Sequence, residues 1–171
     1  MIPSLFDPAK NYKGVVDMFA QIADDATFIA SFSFGSFREK LIEDETPFPQ
    51  LYLECLPFAY EWEKDTQLNI PVVFYVLDLA EPSQDETSEN NLDIQAKIEQ
   101  IARNVVKRIE TQYGEWVPGE NLNPSFLMDK LSTSKRVKYC RVEVLLQPPF
   151  GMSVCDLPFA DREFEPDACD E

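Results

Sequence analysis

Between Val15 and Ala23 the apolar residues Val15, Val16, Phe19, Ile22 and Ala23 recur at three- and four-residue spacing, which is the stripe of an amphipathic helix. Asp7-Pro8 ahead of them suits a helix start with proline in the first turn, so the pattern predicts a helix over residues 8–22, closed by Asp24 and Asp25. The period then falls to two. Phe28, Ala30, Phe32 and Phe34 alternate with Thr27, Ile29, Ser31 and Ser33 up to Gly35, predicting a half-buried strand over residues 27–34. Residues 38–49 are charged and proline-flanked and are expected to form a loop. Alternation returns over residues 50–56, with Leu51, Leu53 and Cys55 on one face, Tyr52, Glu54 and Leu56 on the other, and Pro57 ending the run. A polar, hairpin-like connection over residues 61–69 leads to PVVFYVL at 71–77. That run is almost wholly apolar and β-branched or aromatic, as a central strand covered on both faces requires, and Asp78 is expected to stop it.

Residues 81–89 (EPSQDETSE) carry acids and no base, which is the composition of a flexible linker. Asn90, three residues before Asp93, resembles a capping box and opens the clearest helix of the chain. Ile94, Ile98, Ile101, Ala102, Val105, Val106 and Ile109 form its stripe, Lys107 and Arg108 sit near the end where the dipole favours cations, and Gly114 is the expected C-cap. Residues 115–134 read as irregular, with a turn at Pro118-Gly119 and a short helix from Asn123-Pro124 through Leu131. Over residues 137–146, Cys140, Val142, Val144 and Leu146 alternate with Tyr139, Arg141 and Glu143, placing the first set inward. Beyond Gly151 the tail collects seven acids against Arg162 alone and is expected to be mobile unless a partner binds it. The expected architecture is α+β: one domain over residues 1–150, a mixed or antiparallel sheet of about four strands packed by two main helices with irregular insertions, and an acidic C-terminal tail over residues 151–171.

Length and composition narrow the function. The chain has 171 residues with 44% hydrophobic content, enough to bury a core without a disulfide or metal. It holds 15 Lys and Arg against 31 Asp and Glu, a net charge of -16, and no histidine. Without histidine, a Ser-His-Asp or Cys-His nucleophile system, a His-ligated metal and an imidazole proton shuttle are excluded within the chain. The negative charge disfavours nucleic-acid binding through phosphates, which needs clustered cations. Cys55, Cys140, Cys155 and Cys169 form no C-x-x-C pair and read as free thiols of a reducing compartment. Residues 1–13 lack a basic region followed by an apolar run, so no signal peptide is expected, and no apolar stretch has the length of a membrane span.

Candidate chemistry is sparse. The five glycines form neither a dinucleotide fingerprint nor a Walker loop, so no cofactor is expected. Asp24-Asp25 and the alternating Glu61 and Glu63 could form carboxylate pairs, but in so acidic a chain they read as solvated surface. Asp78 suits a hard-cation ligand or a general base less well than a residue hydrogen-bonding its neighbouring backbone. Trp62 and Trp116, in polar and proline-containing surroundings, are either anchors for a partner or caps on the core edge. Phe159, in the tail triplet Leu157-Pro158-Phe159, docks either on a neighbour or on its own domain. Charge is segregated: residues 1–96 carry a net of -13, residues 97–141 a net of +4 and residues 142–171 a net of -7. The basic block either meets an acidic surface of another copy, through Arg136, Lys138 and Arg141, or is neutralised inside the chain.

The order helix, strand, long loop, strand, strand, acidic linker, long helix, strand comes with particular residues. They are Phe34-Gly35 at the first strand's end, Phe48-Pro49 entering the second, Val72 to Leu77 followed by Asp78, and Asn90-Asn91 heading the helix through Ile109. Over about residues 8–146 this pattern resembles the tail-terminator and neck-ring proteins of tailed bacteriophages, especially phages of Bacteroidetes hosts including the crAss-like group. The resemblance implies a non-enzymatic virion protein made in the bacterial cytoplasm. Its copies would close into a ring, six- or twelve-fold, against adjacent portal, neck or tail rings, with double-stranded DNA passing through the lumen without sequence-specific contact. It implies no catalytic residue, cofactor or membrane contact. The loop over residues 38–49, the segment 115–134 and the acidic tail exceed a minimal terminator. The alternative from another class is an acidic DNA mimic, an inhibitor or adaptor binding a basic host protein as a monomer or dimer.

Overall fold

A computed structural model describes residues 12–37, 46–54, 61–62, 68–80, 89–119, 122–130 and 137–147. Helix α1 spans Tyr12–Asp25 and is followed by strands β1 (Ser31–Gly35), β2 (Gln50–Glu54), β3 (Glu61–Trp62) and β4 (Leu68–Leu79). Helix α2 (Glu89–Gln112) leads through a 3-10 turn (Gly114–Trp116) to β5 (Ser125–Lys130) and β6 (Val137–Leu146). The sheet runs β1-β2-β4-β6-β5, with the two-residue β3 folded back on the start of β4. Among the described residues only β1 and β2 pair in parallel, so the architecture is α+β with a mixed, open sheet under two helices.

Both helices lie on one face of the sheet because their apolar stripes match the apolar row that each central strand turns to that face. Val15, Met18, Phe19 and Ile22 of α1, and Ile98, Ile101, Ala102, Val105 and Ile109 of α2, pack with Leu51, Leu53, Val72, Phe74, Val76, Cys140, Val142 and Val144. At 1.5 Å per residue α2 is about 36 Å long, close to the length of the 12-residue β4 beneath it. The opposite face is covered as well. Tyr52, Val73, Tyr75, Leu77 and Val137 form a second buried cluster with Phe37, Phe48 and Tyr139, which is why β4 reads as a continuous apolar run.

Several expectations change. Helix α1 runs on through Asp24 and Asp25, and the chain then turns at Thr27-Phe28, so β1 begins at Ser31 rather than at residue 27. The expected alternation runs through this turn: Ile29 is buried, whereas Phe28 and Phe34 are exposed. Asp78 does not stop β4 but sits inside its ladder, opposite Lys138. Helix α2 begins at Glu89, ahead of the Asn90 box, and runs to Gln112, a full turn beyond Arg108. Gly114 opens a 3-10 turn, and the left-handed residue is Gly119 (φ 73°), in the turn expected at Pro118-Gly119. The short helix expected after Pro124 is strand β5, paired along its length with β6. A six-residue segment has little helical preference of its own, and the edge of β6 supplies it with a hydrogen-bonding partner. The helix start over residues 8–11, the loop over 38–45, Cys55-Leu56, the linker over 81–88 and the tail over 151–171 lie outside the described residues.

Candidate interaction surface

On the helix side, the strand register brings two opposite charges to the end of the sheet. Asp78 and Lys138 face each other across β4 and β6, on the same face as Val76 and Cys140. Asp78 Oδ1 accepts from the Leu79 backbone N–H (2.8 Å) and Oδ2 accepts from Lys97 Nζ (2.7 Å). The backbone-bonding role expected of Asp78 is therefore present, with an ion pair added to it. Lys138 is only 5% exposed, and its Nζ donates to the Asn91 carbonyl in the first turn of α2 (3.4 Å).

The other face carries a tyrosine platform. Tyr52 and Tyr75 are cross-strand neighbours, and Phe37 stacks on Tyr75 with centroids 3.7 Å apart while meeting Tyr52 and Tyr139 edge-on. The Tyr75 hydroxyl donates to Glu54 Oε2 (2.7 Å) and accepts from Arg141 Nε (3.3 Å), and Arg141 also pairs with Glu143. Burial, and then the Glu54 carboxylate, push the Tyr75 hydroxyl up to about 12, and burial pushes the Cys140 thiol up to about 11.

Both groups hold their protons more tightly in the folded chain than in the unfolded one. Their contribution to stability is complete below about pH 9 and is lost as pH rises through the folded values. Urea unfolding between pH 9 and 12 should show stability falling with pH. Tyr75→Phe should flatten that fall above about pH 10, and an unchanged slope would contradict the assignment.

The candidate contact residues are dispersed. Lys138 is buried, which removes it from any exposed charged contact. Arg141 is half-buried and engaged by Tyr75 and Glu143. Trp116, 5% exposed, belongs to the helix-side core cluster together with Leu122, which removes it as an exposed anchor. Trp62 lies in β3, its backbone paired with Leu68, while Arg136 and Phe159 lie outside the described residues. The basic block is largely neutralised within the chain: Lys97 pairs with Asp78, Arg103 with Glu99, Lys107 with Glu110, and Arg108 approaches Asp25. These pairs are mostly exposed and contribute little each, but they leave few free cations on α2 for a partner.

What remains as surface is the sheet's ends. Among the described residues β1 and β5 each pair with one strand only, and Leu127 at the centre of β5 is 52% exposed. Where β4 and β5 begin and β6 ends, an open groove of about 430 Å³ is lined by Pro71, Val73, Ser125, Arg141, Glu143 and Leu145. The tyrosine platform was legible in part, since Tyr139, Arg141 and Glu143 alternate outward in β6. The groove and the exposed edge of β5 were not, because they exist only once residues 125–130 are a strand.

Among the described residues no three Asp, Glu or Cys side chains gather as a metal site, and no helix is long and apolar enough to cross a membrane. No protein-family model and no curated protein sequence matches this chain.

Proposed function

We propose that this chain is a structural virion protein of a tailed phage, closing with copies of itself into a ring in the neck or at the head-proximal end of the tail. The observation that carries this reading is the open sheet whose two end strands, β1 and β5, each have one partner among the described residues. Offering one end to the opposite end of the next copy is a head-to-tail contact, and such contacts close into a ring when the rotation per copy divides the circle. Adjoining portal, neck or tail rings would dock above and below. A net charge of -16 suits a lumen through which DNA slides without sticking. The protein acts by shape, and no chemical step or cofactor is assigned to it. The contact is assigned to the strand edges rather than to the basic block, whose cations are largely engaged within the chain.

Mass photometry of the purified protein tests this. The expected result is a discrete multimer that Leu127→Lys returns to monomers with its melting temperature nearly unchanged, because Leu127 is exposed and a lysine on an edge strand opposes pairing. A chain that stays monomeric or dimeric at tens of micromolar and binds a basic protein tightly would replace the ring with the DNA-mimic reading.

A further inference from the structure

The groove between the ends of β4, β5 and β6 is open, and the ring contact proposed above does not use it. Pro71, Val73 and Leu145 give it an apolar floor, with Leu145 42% exposed, and Arg141 stands on its wall held in place by Tyr75 and Glu143. The chain leaves the sheet at this place. Gln147, two residues past Leu145, is clamped from two sides. Its backbone N–H donates to the Trp116 carbonyl (2.8 Å) and its side-chain amide donates to Asn69 Oδ1 (2.7 Å).

Residues 148–171 continue from that clamp, and within them Leu157-Pro158-Phe159 is flanked by Asp156 and Asp161. Nine residues separate Gln147 from Leu157, ten Cα steps that span up to about 35 Å, so the triplet is tethered within reach of the groove at millimolar effective concentration.

We propose that the groove is the docking site of the chain's own segment 156–161. The apolar triplet lies on Pro71, Val73 and Leu145 with Phe159 as its anchor, and a flanking aspartate meets the Arg141 guanidinium. The proline restricts the free segment and reduces the ordering cost of docking. This inference stands on the groove and the tether and does not depend on ring formation.

Hydrogen exchange of the full chain at about 1 µM, read by mass spectrometry, tests it. Amides of residues 155–163 should exchange at least about tenfold more slowly than an unstructured peptide. Leu145→Lys and Phe159→Ala should each abolish that protection while leaving the amides of β4 as slow as in the parent. Absence of protection in the parent, or protection that survives Leu145→Lys, would overturn the proposal. Protection that appears only as concentration rises would also overturn it, since the segment would then be seated on another copy.

Discussion

Replacing Phe74 by alanine should cost about 3–5 kcal/mol, among the largest losses expected from a single truncation of the described residues. Phe74 is fully buried at the middle of β4, the central strand, and its ring meets Phe19 of α1 with centroids 5.1 Å apart. It touches the layer where strand and helix are both committed, so neighbours can close the gap only by moving an element. A domain of this size is stable by only about 5–15 kcal/mol, and the loss should lower the melting temperature by roughly 10 °C or more. Phe34→Ala is the control. Phe34 is on the end strand, 36% exposed, and its truncation should cost under about 1.5 kcal/mol. Urea titration of both variants decides the matter: equal losses would mean that the core is not centred on β4.

Lys138→Glu should be similarly severe, because the residue is buried. As a contact residue of the basic block, Lys138 would be one whose reversal weakens assembly and spares the fold. In the structure it is buried, bonded to the Asn91 carbonyl and opposite Asp78. A glutamate there sets a carboxylate against a carbonyl oxygen, beside another carboxylate, in a site with little water. Leaving such a charge uncompensated costs on the order of 3–5 kcal/mol. Lys138→Met keeps the length and removes the charge, and should fall within about 1 kcal/mol of the parent, because one long hydrogen bond is exchanged for apolar packing. Thermal melts of the two variants separate the readings. A Lys138→Glu protein that melts with the parent would return Lys138 to the surface.

The sequence by itself determined the elements whose period was long and whose apolar content was high. The stripes of α1 and α2, the inward set of β6 and the doubly covered β4 are all present, because burying a matched face decides the conformation of such segments wherever they pack. Tertiary structure decided the rest. Ser125–Lys130 became a strand because β6 offered it an unpaired edge, a fact recorded in no property of those six residues. Asp78 stayed inside its strand because Lys97, nineteen residues away, meets its carboxylate. Lys138, which its spacing from Cys140 and Val142 already puts on the inward side, can stay buried there because the first turn of α2 supplies an acceptor. Local pattern fixes which face of a segment is apolar; which polar groups that face can bury depends on partners that only the folded chain brings within hydrogen-bonding distance.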